Sequence, residues 1–392
     1  MDPGGPGWRG ALEADRARPV SGTGRRSVLR TLLVLGAAAP LAGVLSCTRT
    51  QPAQAQASLS SQQLAGQRVI YSYSGLTAPT ALLQAITAGQ AAGVIFFSQN
   101  ISSETQIASV IQQLVQAQQQ SPVSAPLLLM TDQEGGEVRR LPGAPTLSQK
   151  QIGASSNPAA AASSAGTGAG QNLAGVGMNV NLAPVLDVYY NSGNFIDQFQ
   201  RSYSNKASVV TACGQAFITA QQQTGVAATA KHFPGLGSAT KSQDTDAGPV
   251  TLTVSLSELR SKDEAPYPAA IAAGVRLIMV SWAIYPALDA TNPAGLSSTV
   301  IQGELRGRLG YQGVTITDAL EAGALTAFGS FGQRAVLAAQ AGMDLLLCAA
   351  QDPSQGQAVT SALAGALGAG QLDSATFNAA VQRVTALRGR VR

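Results

Sequence analysis

The chain has 392 residues, 45% of them hydrophobic, with 25 Lys and Arg against 21 Asp and Glu for a formal net charge of +4. It has no basic cluster interleaved with aromatic residues, which excludes the usual footprint of a polyanion-binding groove. One histidine and three cysteines among scattered acids argue in the same way against a zinc site.

The first 47 residues hold six arginines and three acids, so the net charge beyond them is only +1. Arg25-Arg26 precedes an apolar run from Thr31 to Leu45, the pattern of a twin-arginine export signal. That run is too short for a membrane span and carries Pro40. Val44-Leu45-Ser46-Cys47 resembles a bacterial lipoprotein signal, in which the cysteine becomes the acylated first residue. The expected location is the outer face of the cytoplasmic membrane or the cell envelope, held there by a lipid anchor or partly secreted. Residues 48–64, rich in Gln, Ala, Ser and Pro, read as a flexible tether. Residues 65–392 are long enough for a single catalytic domain with one large core.

Beyond the tether, short apolar runs alternate with longer amphipathic ones. Strands are predicted at 68–73, 93–97, 126–131, 180–188, 226–231, 276–281, 313–317 and 343–348. Helices are predicted at 79–87, 104–118, 205–223, 257–273, 298–308, 331–341 and 374–387, with Asp373 as a cap for the last. Strands that are apolar almost throughout suit a parallel sheet covered by helices. Eight such units with polar residues at several strand ends predict an α/β fold, a (β/α)8 TIM-like barrel. An open doubly wound sheet is the alternative, but no Gly-rich phosphate loop follows the first strand, only Gly75. Cys213 on a helix face and Cys348 at a strand end read as two buried thiols.

The strand ends carry the chemistry. The third strand leads into Asp132-Gln133-Glu134-Gly135-Gly136, where a carboxylate can accept from two neighbouring sugar hydroxyls and the glycines allow a sharp turn or a close backbone approach. Asp187 lies in the otherwise apolar fourth strand, with structural roles such as holding a loop and functional ones such as orienting a neighbour equally open, and Arg201 beyond it is a candidate donor to sugar oxygens. The fifth ends in Lys231-His232-Phe233-Pro234-Gly235, where the Lys231 and His232 side chains can both donate to hydroxyls. No Gly-x-Ser-x-Gly elbow supports a serine triad. Asp244 and Asp246 lie past this turn. One of them can serve as proton donor if burial or its neighbour raises its pKa, and otherwise both are solvated loop acids. Asp318 closes the seventh strand after Gly313-Val314-Thr315-Ile316-Thr317. A carboxylate held there can attack an anomeric carbon, or it can cap a following helix.

Taken together, Lys231-His232-Phe233-Pro234-Gly235-x-Gly237, Asp132-Gln133-Glu134-Gly135-Gly136-x-Val138-x-Arg140, Asn181-Leu182-Ala183-Pro184-Val185-Leu186-Asp187 and Thr317-Asp318-Ala319-Leu320 resemble bacterial glycoside hydrolase family 3, in particular its single-domain NagZ-type β-N-acetylhexosaminidases. The resemblance implies a retaining mechanism without metal or organic cofactor. It implies Asp318 as nucleophile, and Asp132, Arg140, Arg201, Lys231 and His232 as residues at substrate-binding positions. Its implied substrates are β-linked N-acetylglucosamine glycans from peptidoglycan or muropeptide-like fragments. A related β-glucosidase and a non-catalytic sugar-binding lipoprotein are the alternatives.

Two departures stand out. Relatives carry Asp-Ser-His on the loop after the fifth strand, with the histidine as acid/base. This chain reads Asp244-Thr245-Asp246 there, on a loop longer by about two residues. Alignment makes Asp246 the acid/base and Asp244 its partner, with the exchanged assignment still open. Trp282 stands where a histidine usually follows the sixth strand. A carboxylate in place of an imidazole implies a more acidic pH optimum, since reference values for Asp and His differ by about 2.6.

If Cys47 carries the lipid, Cys47→Ala should move the protein from the membrane fraction to the soluble one on cell fractionation. Retention of the variant in the membrane fraction would contradict the anchor.

Overall fold

The eight apolar runs become eight parallel strands: β1 Val69–Tyr71, β2 Gly93–Ile95, β3 Leu128–Thr131, β4 Val180–Asn181, β5 Ala227–Phe233, β6 Leu277–Val280, β7 Val314–Ala319 and β8 Leu345–Leu347. In the computed structural model, which describes residues 59–391, each strand pairs with its neighbours in chain order and β1 pairs with β8. The sheet therefore closes, giving the expected (β/α)8 TIM-like barrel. The export signal, Cys47 and tether residues 48–58 lie outside the described residues. The last part of the tether range runs into a short helix, Ser61–Gly66, capped by Ser60.

Side chains alternate between the two faces of a strand. Ile70, Leu128, Met130, Leu277, Met279, Val314, Ile316, Leu345 and Leu347 fall in one apolar cluster, the barrel interior. Their neighbours Val69, Tyr71, Leu129, Ile278, Val280 and Leu346 fall in a second, between barrel and helices. The final helix, Ser374–Arg388, adds Val384 and Leu387 to the interior cluster. Its Arg388 donates to the carbonyls of Pro126 and Ala125, just ahead of β3, at 2.6 Å each. Arg68, just ahead of β1, donates to the carbonyls of Met343 and Asp344, just ahead of β8. These bonds close the amino-terminal end of the barrel, which leaves the carboxyl ends of the strands as the open mouth.

Helices predicted at 79–87, 104–118, 205–223, 331–341 and 374–387 appear as Thr80–Thr87, Glu104–Gln119, Ala207–Gln223, Phe331–Ala341 and Ser374–Arg388. Asp373 caps the last by accepting from the Thr376 amide, as expected. The 257–273 segment is divided instead into a turn Leu256–Glu258, a π-helical turn Leu259–Asp263 and a helix Tyr267–Ala272, with Pro266 at the break. Thr299–Arg308 is π-helical. Two further long helices, Pro158–Val176 and Pro353–Gly368, escape the sequence pattern because Ala and Gly supply much of their length and blunt the apolar periodicity. The short helix Gln149–Gly153 escapes it as well. Cys213 and Cys348 are buried free thiols, as expected, and burial pushes the Cys213 thiol up to about 11.

Small residues let Pro158–Val176 press directly on Ala207–Gln223. A Cβ at Gly166 would lie 2.4 Å from the Phe217 carbonyl oxygen, and one at Gly170 would lie 2.1 Å from Thr224 Oγ1. Gly166→Ala should therefore destabilise the protein by about 1–3 kcal/mol despite alanine's better helix propensity. An unchanged denaturation midpoint would refute this account of the crossing.

Candidate functional site

The mouth is built first from the end of β3. After Thr131 the chain enters a hairpin in which Gln133–Gly135 pairs with Val138–Arg139. Gly135 and Gly136 make the turn at φ +107° and +58°, a region open to glycine at little cost. Asp132 and Glu134 lie two residues apart on extended chain and so point the same way. Glu134, 1% exposed, accepts from Arg201 Nε at 2.9 Å and Nη2 at 2.7 Å, and pairs with Lys231 Nζ at 2.9 Å. Lys231 also donates to Asp132 Oδ1 at 2.6 Å. Burial alone would raise the Glu134 carboxyl, but Arg201 and Lys231 outweigh it and hold it at about 2. The pairs raise the pKa of both Arg201 and Lys231 against the opposing effect of burial. Within the hairpin, the buried Gln133 side chain accepts from the amides of Arg140 and Leu141. Arg140 Nε and Nη1 are buried and have no hydrogen-bond partner among the described residues.

A second support comes from the segment after β4. Asp187 is fully buried; its Oδ2 lies 2.7 Å from His232 Nδ1, and its Oδ1 accepts from the amides of His232 and Leu236 at 3.2 and 2.8 Å. Asp187 thus both orients a neighbour and holds a loop. The bond fixes the imidazole through Nδ1, so Nε2 is the nitrogen available to a ligand.

The third part is the group of acids across the mouth. Asp318 lies at the end of β7, half-buried, its Oδ1 accepting from the Ala319 amide at 2.8 Å. Trp282, fully buried at the end of β6, donates from Nε1 to the Ala319 carbonyl at 2.9 Å. The chain just after Asp318 is therefore anchored by an indole. The loop with Asp244 and Asp246 docks on the same turn: the Gly323 amide donates to the Asp246 carbonyl at 2.9 Å, and that of Ala324 to the Thr245 carbonyl at 3.0 Å. Asp244 Oδ1 accepts from the Asp246 amide at 3.0 Å. Burial pushes the Asp246 carboxyl well above the usual range, and Asp318, Asp244 and Glu321 push it further, with Arg201 opposing. Glu321, raised chiefly by burial, accepts from the Ala349 amide and from Gln355.

The predicted residues thus gather at one mouth. Asp132, Arg201 and Lys231 are joined through Glu134, His232 through Asp187, and Asp246 interacts with Asp318, Asp244 and Arg201. Glu134 and Glu321 were missed as site residues. Glu134 had a signal, since its spacing from Asp132 puts both acids on one side of extended chain. One wall offers donors suited to a polyhydroxylated ligand. The other offers a carboxyl whose proton affinity is raised beside Asp318. Among the described residues no group of three or more His, Cys, Asp or Glu side chains could hold a metal ion, and no helix is long and apolar enough to cross a membrane.

The family model described as "Glycosyl hydrolase family 3 N terminal domain" matches residues 63–387. An "Uncharacterized secreted glycosyl hydrolase" from Arthroderma benhamiae is 48% identical over 329 residues, covering 83% of this chain and 93% of the relative. The solved structure of a glycoside hydrolase family 3 beta-N-acetylglucosaminidase from Paenibacillus sp. shares 36% identity at a TM-score of 0.79; the match covers 85% of this chain and 63% of that longer one. A beta-N-acetylhexosaminidase from Beutenbergia cavernae shares 34% identity at a TM-score of 0.77, over 85% of this chain and 99% of that one.

Glu134 has a folded-state pKa of about 2 against an ordinary 4.5, so its pairing stabilises the fold fully above about 4.5 and the contribution is lost as pH falls toward 2. The lost stabilisation is on the order of 3 kcal/mol. Glu134→Gln should remove that acid-dependent component and cost about 3–5 kcal/mol at neutral pH, because two buried cations lose their shared counter-charge. Urea denaturation of both proteins across this pH range measures it; identical pH dependence would contradict the assignment.

Proposed function

The chain belongs to glycosyl hydrolase family 3, and from that premise we propose that it is a retaining exo-β-N-acetylglucosaminidase. It removes terminal non-reducing β-linked N-acetylglucosamine from peptidoglycan-type glycans or their turnover fragments, in the manner of single-domain NagZ-type members. The observation that carries this reading is the placement of Asp318, at a strand end, beside the Asp246 loop that docks on the turn after it, where burial and the neighbouring acids raise the proton affinity of the Asp246 carboxyl. The names of the Paenibacillus and Beutenbergia proteins support the amino-sugar preference. The secreted fungal relative supports export, and attachment through Cys47 is the finer form of that proposal.

In the proposed reaction an oxygen of Asp318 attacks C1 of the sugar while Asp246 gives its proton to the departing glycosidic oxygen. The C1–O bond to the aglycone breaks and a glycosyl ester with Asp318 forms. Asp246, now a carboxylate, takes a proton from water as the water oxygen attacks C1, and the ester bond breaks to restore Asp318. Asp244 orients the Asp246 loop through the Asp246 amide. Asp132, Arg140, Arg201, Lys231 and His232 hold the sugar. The sequence alone implied a more acidic pH optimum than that of histidine-bearing relatives. The raised proton affinity of Asp246 narrows that gap from the histidine-bearing relatives, because the acid keeps its proton to higher pH.

Aryl β-N-acetylglucosaminide should be turned over in preference to the matching β-glucoside, and Asp318→Ala should abolish that turnover with the fold intact. Asp246→Ala should lower kcat/KM by about 10²–10⁴-fold for substrates with poor leaving groups, far less for an activated aryl leaving group, and should flatten the alkaline limb of the pH profile. Full activity of Asp318→Ala would overturn the nucleophile, and an unchanged alkaline limb in Asp246→Ala would overturn the acid.

A further inference from the structure

Asp263 is a buried carboxyl outside the machinery described above. It lies at the end of the π-helical turn Leu259–Asp263 and is 1% exposed. The Tyr190 hydroxyl donates to its Oδ2 at 2.7 Å, while Oδ1 is buried without a hydrogen-bond partner among the described residues. The carboxyl is wedged against the turn that follows His232. A Cβ at Gly235 would lie 2.7 Å from Asp263 Cβ, and one at Gly237 would lie 3.1 Å from Oδ1. The same turn is clasped from the β4 side: the Tyr190 amide and the Asn194 side chain donate to the Gly237 carbonyl at 2.9 and 2.6 Å. It is also tied to Asp187 through the Leu236 amide. One carboxyl therefore braces two loops at the mouth without lining the sugar pocket.

We propose that Asp263 is a positioning residue for substrate binding, acting through Tyr190 and the Gly235–Gly237 turn to hold His232 and Lys231 at the pocket. Its charge state matters because the other support of that turn, Asp187, is itself a buried acid. Burial raises Asp263 to about 7; the Tyr190 bond opposes this, Asp187 adds to it, Lys262 opposes and Glu258 adds. The phenols of Tyr267 and Tyr285 also interact with it. As pH rises through neutrality the Asp263 carboxyl gains a negative charge beside the buried Asp187 carboxyl, and that unfavourable burial of charge loosens the turn.

The test has a substrate-independent arm and a kinetic arm. In amide hydrogen exchange, corrected for the intrinsic pH effect, the His232 and Leu236 amides of the wild type should exchange faster as pH rises through neutrality. Asp263→Asn, which keeps an acceptor for Tyr190 but no charge, should lose that pH dependence. Asp263→Ala should exchange faster at every pH, and Tyr190→Phe, a milder change, should share its direction. In kinetics, Asp263→Ala should raise KM roughly tenfold, equivalent to about 1.4 kcal/mol of binding, with little change in kcat. Asp263→Asn should rescue KM and remove the wild-type rise in KM at alkaline pH. The kinetic arm rests on the amino-sugar reading, whose failure would appear as a wild type inactive on the aryl N-acetylglucosaminide, leaving the exchange arm to decide. Wild-type exchange at both amides in Asp263→Ala, or an Asp263→Asn protein that keeps the pH dependence, would overturn the proposal.

Discussion

The buried contact of Glu134 with Arg201 and Lys231 is the constraint on which the mouth of the barrel depends. It joins the hairpin after β3, the loop after β4 and the end of β5, three segments far apart in sequence. A buried ion pair is weak evidence for stability, because desolvation of both charges offsets their attraction. Its value here is geometric. A bidentate guanidinium–carboxylate pair fixes both planes, and Lys231 is shared with Asp132, which is more exposed than Glu134. A ligand at Asp132 therefore meets a cation already held in place, with less ordering entropy to lose on binding.

The two walls of the mouth follow opposite electrostatic rules. On the Glu134 side, acids and bases interleave, and the acid is held far below its ordinary pKa. On the Asp318 side, carboxyls face one another, and the half-buried Asp246 is driven the other way. Environments that push carboxyls apart in pKa are how one fold presents both an ionised group and a proton donor at the same pH. Backbone contact makes the second environment possible. At Gly323 a Cβ would lie 2.7 Å from the Ala247 carbonyl and 2.8 Å from the Asp246 oxygen, so the acid loop can lie directly on the turn after Asp318 only because that position lacks a side chain.

The barrel was legible because its strands are short, apolar on both faces and punctuated by charge at one end; all eight appear where the pattern places them. Elements whose burial rests on small residues were not legible. Pro158–Val176 packs through Gly166 and Gly170, which carry no hydrophobic signal. The split of 257–273 depends on a π turn and two prolines in a segment that otherwise reads as one amphipathic helix. At the site, the strand-end residues could be read one by one, but their partners could not. Glu134 pairs with Arg201 at a separation of 67 residues, and Asp187 with His232 at 45. Trp282 was read only as the loss of a histidine. In the structure its indole is a buried donor that fixes the backbone beside Asp318.

The single histidine of the chain bears on how the reaction is shared out. His232 Nδ1 is committed to Asp187 at 2.7 Å, and its own amide is bonded to the same carboxylate. Both bonds hold the residue in one orientation at the end of β5, next to Lys231. The proton donor proposed above belongs to the acid loop, where Asp246 interacts with Asp318. Beside Asp318, Asp244 and Glu321, the half-buried Asp246 carboxyl gains proton affinity from its surroundings. A carboxyl in the proposed acid/base role is then chemically coherent with Asp318 as the proposed nucleophile. The environment supplies what the side chain lacks, provided that the loop stays close enough for the repulsion to act, which the bonds from Gly323 and Ala324 ensure.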